Sequence, residues 1–154
     1  MVRLDQMPEG QRKHLKELPC PTFETHPWVE GPPLSERRVA IVSTAGLHRR
    51  EDRPFTPEPG DYYRIIPGDI KAAELLMSHL STNFDHTGFQ QDWNVLFPID
   101  RLREFDEEGI IGSVADFHYS FMGALDPMQM EKDARRLATI LKGDHVDALL
   151  LIPV

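Results

Sequence analysis

Asp147-Ala148-Leu149-Leu150-Leu151-Ile152-Pro153-Val154 contains a continuous apolar run of strand length. A run without polar alternation is the pattern of a strand buried on both faces of a parallel sheet. The residues before it supply the architecture. Asp126-Pro127 pairs a helix N-cap with proline at the first helical position. Met130, Ala134, Leu137 and Leu141 then fall on one helical face, and Gly143 is expected to stop that helix. Helix, glycine and apolar strand make half of a βαβ unit. A second run, Arg38-Val39-Ala40-Ile41-Val42-Ser43-Thr44, is apolar and mostly β-branched through its centre and is the expected parallel neighbour.

The fold class that follows is α/β, a partial three-layer open sheet with mainly parallel strands, flavodoxin- or Rossmann-like. Such sheets deliver functional residues from loops past the C-terminal ends of their strands. No residue follows Val154 here, so the expectation is a domain truncated after a core strand. Two segments are expected: an N-terminal helix and proline-rich arm over residues 1–36, and the α/β domain over 37–154.

Composition narrows the possibilities. The chain has 154 residues, 13 prolines and a formal net charge of −8. That length suffices to bury roughly 70% of the unfolded surface. The acidic balance argues against a general nucleic-acid surface. No apolar stretch approaches the ~18 residues of a membrane span, and a cytoplasmic protein is expected. Cys20 is the single cysteine, so no internal disulfide is possible. Between two prolines it reads as a small packing residue.

Further out, residues 5–18 read as a polar helix with Leu15 and Leu18 as its apolar contacts, and Trp28 as the side chain pinning the arm to the body. Tyr62–Ile66 reads as a second strand. Asp69 is expected to cap a short helix over 71–78, and 78–94 to be mostly loop. Pro98 starts a helix, Ile99 to Glu107, with Gly109 as its cap. Ile110 to Val114 reads as extended, and Phe117 to Gly123 as a compact aromatic segment.

Three constellations carry possible chemistry. Ser43-Thr44-Ala45-Gly46-Leu47-His48 places hydroxyls, a glycine and a histidine at the end of a buried strand, either a ligand-binding edge or a simple turn. It lacks the second glycine and the Gly-Lys-Ser/Thr ending of a phosphate loop. Ser78-His79 with Asp85-His86 and Asp92 could shape a pocket, contact substrate, move a proton or bind a divalent metal. No recognised zinc spacing is present. His118, among Tyr119, Phe121 and Met122, is either a satisfied core histidine or a functional one. On the helix from Ile99, Asp100, Arg103 and Glu104 read as solvated, with Arg101 the exception beside the polar loop.

Read in order, these segments resemble one family, the selenoprotein B family of glycine, sarcosine and betaine reductases and D-proline reductase. The resemblance rests on Val42-Ser43-Thr44-Ala45-Gly46-Leu47-His48, Tyr63-Arg64-Ile65-Ile66-Pro67-Gly68-Asp69, and Ser78-His79 with Phe84-Asp85. It continues through Asp92-Trp93-Asn94-Val95-Leu96-Phe97-Pro98, Arg101-Leu102, Gly109-Ile110-Ile111-Gly112, His118-Tyr119-Ser120-Phe121-Met122-Gly123 and the terminal run. It covers roughly residues 30–154, and the order and spacing of the motifs make it specific.

The resemblance implies an oxidoreductase subunit that helps cleave a C–N bond of a small amine or amino acid with a selenol or thiol nucleophile. In the family the terminal strand leads directly into a selenocysteine or cysteine. The expectation is therefore that the nucleophile belongs just after Val154, its codon read as a stop, and that this chain alone is inactive. Thr44, Gly46, His48, His79, Asp85 and His118 are then the candidates to orient substrate or move protons, with no metal. The resemblance further implies no cofactor in this chain but a pyruvoyl group on a partner reductase subunit, which holds the substrate amine. A non-catalytic binding or assembly module is the alternative. An uncovered apolar face beside the terminal strand leads us to expect a homo-oligomer.

Overall fold

The β-branched run Arg38–Ser43 forms β1, the central strand of a mixed sheet, in a computed structural model that describes residues 3–17, 22, 24–26, 28–58, 60, 62–81 and 86–154. Along one edge β1 runs parallel to β7 (Ala148–Ile152), in register from Val39↔Ala148 to Ser43↔Ile152. The expected neighbour relation between the two apolar runs is thus present. Along its other edge β1 meets two strands in succession. β5 (Ser113–Val114) lies beside Arg38 and Val39, and β6 (Phe117–Phe121) beside Val42 and Ser43, both parallel. β3 (Tyr63–Pro67) adds to β6 antiparallel. A separate antiparallel ribbon pairs β2 (Leu47–Arg49) with β4 (Leu75–Met77). The fold is α/β, and its sheet is mostly parallel.

Alternation along β1 builds two cores. Val39 and Ile41 pack with Ile66, Phe97 and the buried Ile99 and Leu102 of α3 (Ile99–Glu107). Ala40 packs on the opposite face with Tyr119, Phe121, and Leu137 and Leu141 of α4 (Pro127–Gly143). Helices on both faces give the three layers. Complete burial of a side chain such as Ile41 contributes ~2–3 kcal/mol.

Two helix ends follow their sequence signals. The Asp126 carboxylate accepts the Met128 N–H at 2.9 Å, and Pro127 occupies the first turn. Gly109 ends α3 at φ 69°. The other end of α4 differs from expectation. Gly143 stays inside the helix, and His145 takes the left-handed conformation at φ 58° while the Val146 N–H reaches back to the Leu141 carbonyl at 2.9 Å. Ala134 is also exposed, so the buried stripe of α4 is narrower than its apolar spacing.

Several other readings are corrected. The terminal strand is not buried on both faces. β7 pairs with β1 alone, and Leu149, Leu150 and Leu151 are 45%, 36% and 63% exposed. The segment read as a helix over 71–78 is a single 3₁₀ turn, Ala72–Glu74, followed by β4, because Leu75–Met77 pairs with Leu47–Arg49. Glu74, not Asp69, caps it, accepting the Lys71 N–H at 2.9 Å. Near the N-terminus a 3₁₀ turn, Leu4–Gln6, precedes α1 (Glu9–Glu17), because Pro8 forces Met7 into extended backbone. Within the segment read as loop lie α2 (Thr87–Gln91) and the turn Trp93–Val95. Trp28 is 84% exposed, so it does not serve as the buried anchor of the arm. Arg37 holds the arm instead, donating from Nε to the Pro32 carbonyl at 2.6 Å. Leu18 and Cys20 lie outside the described residues. Among the described residues no helix is long and apolar enough to cross a membrane.

Candidate functional site at the strand ends

Parallel strands that stop together leave their last carbonyls and amides at one edge, and Thr44 gathers them here. Its N–H donates to the Ile152 carbonyl of β7 at 3.0 Å, and its own carbonyl accepts the Gly123 N–H, just past β6, at 2.8 Å. Its Oγ1 accepts the Val154 N–H at 2.8 Å. The ends of β1, β6 and β7 are thereby tied to one residue. A side chain at 123 would start 2.8 Å from the Thr44 carbonyl and 2.9 Å from the Val154 carbonyl, so only glycine allows this approach.

Gly46 continues the edge at φ 65°, where a Cβ would also lie 2.5 Å from the Met122 methyl. Its N–H donates to the Phe121 carbonyl, and its carbonyl accepts the Ser78 N–H at 3.0 Å. This brings the β4 end to the same place. His79 follows, half-buried, its Nδ1 accepting the Ser81 N–H at 3.2 Å. Burial, and secondly the nearby His86 charge, lower its pKa, so the ring is held neutral at pH 7.

His48 lies on β2, 2% exposed. Its Nδ1 is 2.8 Å from the Arg49 carbonyl, and a carbonyl can only accept, so Nδ1 carries the proton. In the neutral ring Nε2 is then an acceptor, and it takes the Ser78 hydroxyl proton at 2.7 Å. Ser78 itself is half-buried.

His118 is brought elsewhere. It fills the break between β5 and β6, where β1 lacks a strand partner. Its Nδ1 accepts the Ile41 N–H at 2.9 Å, so Nε2 carries the proton. That nitrogen is buried and has no hydrogen-bond partner among the described residues. Burial, assisted by the Arg103 and Arg38 charges, lowers its pKa to about 4.

Beyond His118, near the start of β6, is a cleft of about 990 Å³ lined by residues including Gly68, Lys71, Trp93, Arg103, Asp116 and Phe117. It lies at the end of β5 and the start of β6, away from the ends of β1, β6 and β7. Two of its charged side chains, Asp100 and Arg103, are engaged in structural contacts. Asp100 accepts from the Trp93 indole at 2.7 Å and from Asn94 at 3.0 Å, and pairs with Arg103 at 2.8 Å. Arg103 also donates to the Gly68 and Ile70 carbonyls at 2.6 and 3.2 Å. Burial opposes Asp100 ionisation, yet the Asn94 and Trp93 hydrogen bonds and the Arg103 charge outweigh it and hold the carboxyl below its ordinary range.

Of the sequence candidates, Thr44, Gly46 and His79 meet at the strand ends, His48 joins them through Ser78, and His118 does not. Asp85 lies outside the described residues. Ser78 was read with His79 in the polar group but not as the partner of His48, and two further roles were missed: Gly123 as the close approach, and Met122, whose sulfur accepts the Leu80 N–H at 3.4 Å. The glycine after an aromatic strand was the available signal for Gly123. The expectation for α3 is reversed. Arg101 is exposed and, among the described residues, pairs with Glu104, whereas Arg103 and Asp100 make the tertiary contacts. Among the described residues no group of three His, Cys, Asp or Glu could hold a metal ion.

Comparison with known proteins adds an independent line. The family described as glycine/sarcosine/betaine reductase selenoprotein B matches residues 10–153. D-proline reductase subunit gamma of Acetoanaerobium sticklandii is 33% identical over 120 residues, covering 77% of this chain and 49% of that relative. Glycine reductase complex component B subunit gamma of Symbiobacterium thermophilum is 28% identical over 144 residues, 88% of this chain and 33% of the relative. Betaine reductase complex component B subunit beta of Peptoclostridium acidaminophilum is 28% identical over 123 residues, 77% of this chain and 28% of the relative. The chain thus spans half or less of the length of these relatives. No solved structure matches it.

Proposed function

The chain belongs to the glycine/sarcosine/betaine reductase selenoprotein B family, and from that premise we propose that it is a subunit of a selenol- or thiol-dependent reductase that cleaves a C–N bond of a small amine or amino acid. The observation that carries the reading is the meeting of the β1, β6 and β7 ends around Thr44 and Gly123. A nucleophile there would sit at the ligand-binding edge of a parallel sheet.

The sequence supplies one cysteine, Cys20, and hence no redox pair of its own. We place the nucleophile, a selenocysteine or cysteine, in the residue that would extend the chain past Val154. The codons after Val154 test this: an in-frame TGA or cysteine codon followed by an open frame with a nearby cysteine codon is expected. An ordinary stop with no such frame counts against it. The relatives are named as subunits or components of complexes, and we extend that to this chain by proposing a partner reductase subunit. A pyruvoyl group on that subunit would supply a carbonyl to hold the substrate amine.

In this arrangement the residues of the chain act in three ways. Thr44 and Gly123 fix the terminal backbone. His79, neutral, can accept or relay a proton at the edge. Met122 and the packed β1 core keep water from the inner side. The test is thiol-dependent C–N cleavage by the chain carrying that nucleophile past Val154, assembled with the proposed partner subunit. Thr44→Val, which leaves the Val154 N–H without its acceptor, is expected to lower turnover at least ~10-fold at a stability cost of about 1 kcal/mol. Turnover equal to wild type would sink the assignment of this edge. The alternative of a binding or assembly module gains its support from the lone cysteine, and predicts ligand or partner binding with no thiol consumed.

A further inference from the structure

The Ser78–His48 pair has a geometry that packing alone does not demand. The imidazole is dry, closed on one side by the edge of the Phe55 ring at 6.5 Å between centroids, and its Nδ1–H is committed to the Arg49 carbonyl. Its one basic nitrogen is spent on the Ser78 hydroxyl at 2.7 Å. The serine is only half-buried, and its backbone is tied to Gly46 at the strand ends. A sheltered base behind a reachable hydroxyl, with the base oriented by a third group, is the arrangement that activates a hydroxyl for proton transfer.

We propose that Ser78, backed by His48, is the proton acceptor that ionises an attacking cysteine thiol at the strand ends, a role that rests on the reductase reading above. The sulfur proton passes to Ser78 Oγ as the hydroxyl's own proton passes to His48 Nε2. The sulfur keeps the bonding pair and becomes the nucleophilic anion, and the imidazole becomes imidazolium. When the C–N bond breaks, the departing nitrogen takes its electron pair, and the same relay in reverse returns the proton to it. No electron is exchanged with Ser78 or His48. Ser78 is the catalytic residue in this scheme, and His48 acts through it.

The test uses the complex of the proposed partner subunit with this chain extended past Val154 by its nucleophile, as cysteine or as selenocysteine, with one dithiol reductant at pH 7. With cysteine, Ser78→Ala and His48→Gln are expected to lose turnover on the order of 100-fold. With selenocysteine, already ionised at that pH, most of that loss should disappear. Ser78→Thr retains the hydroxyl and should stay near wild type with both. A loss equal for the two nucleophiles at unchanged melting temperature marks a structural role and overturns the proposal, as does no loss. Should His48→Gln fail to fold, the half-buried Ser78→Ala carries the comparison. A wild-type complex inactive with either nucleophile overturns the reductase reading itself, a result distinct from an active wild type with insensitive variants.

Discussion

His118 stands where a strand carbonyl would otherwise stand, and its ring nitrogen completes the β1 ladder at Ile41. Protonation of Nδ1 would convert that acceptor into a donor facing a donor. The folded pKa of about 4 lies below the ordinary 6.5, so the unfolded chain takes up the proton first as pH falls. The stabilisation is complete above pH 6.5 and is lost as pH falls from there through about 4, by ~3 kcal/mol in all. Urea unfolding at about pH 7 and about pH 4.5 should therefore show a larger loss for wild type than for His118→Asn, whose amide oxygen can accept without titrating. Equal losses would remove His118 as the cause. His145 offers the opposite sign. Its left-handed backbone is strained for a side chain, and His145→Gly should stabilise the fold by roughly 0.5–1 kcal/mol, read as a raised melting temperature. Neither residue announced these roles in the sequence. A lone histidine among aromatics does not reveal which backbone amide it will meet, and Gly143 lay two positions before His145 as the more obvious stop.

Elements were legible where their signals were local. The β1 run, the Asp126-Pro127 start of α4 and the Gly109 end of α3 follow from chain chemistry within a few residues. β2 and β4 were lost because each is three residues long and exists only through the other. A helix-like Lys71–Ser78 stretch becomes a turn and strand once Leu47–Arg49 lies beside it. The same reason hid the role of α3. Its Asp100 and Arg103 read as surface charges until the Pro67–Ile70 turn and Trp93 are brought against them. Arg103→Met should cost about 2 kcal/mol in urea unfolding, because the Gly68 and Ile70 carbonyls lose a charged donor. Arg101→Met, breaking only an exposed pair, should change stability by less than ~0.5 kcal/mol. A reversed order would contradict the network.

At the scale of the molecule, β7 is an open edge of the sheet among the described residues. It carries Leu149, Leu150 and Leu151 partly exposed, and no charge or bulge blunts it. Self-association through this edge is the expected behaviour of the isolated chain. Leu151→Lys should reduce the light-scattering mass at micromolar concentration, and an unchanged mass would place any association elsewhere. The same strand brings Val154 to Thr44 and Gly123, so the exposed edge and the candidate site are two ends of one element. Family membership was readable from the ordered motifs, while the pairing of His48 with Ser78 needed the β2–β4 ribbon to bring them together. The most direct measurement is thiol-dependent C–N cleavage by the chain carrying its nucleophile past Val154 and assembled with the proposed partner subunit, followed by proton NMR with glycine, sarcosine, betaine and D-proline in turn. The account predicts that at least one substrate is cleaved, with thiol oxidised in step. An intact complex that cleaves none of the four and oxidises no thiol would contradict it.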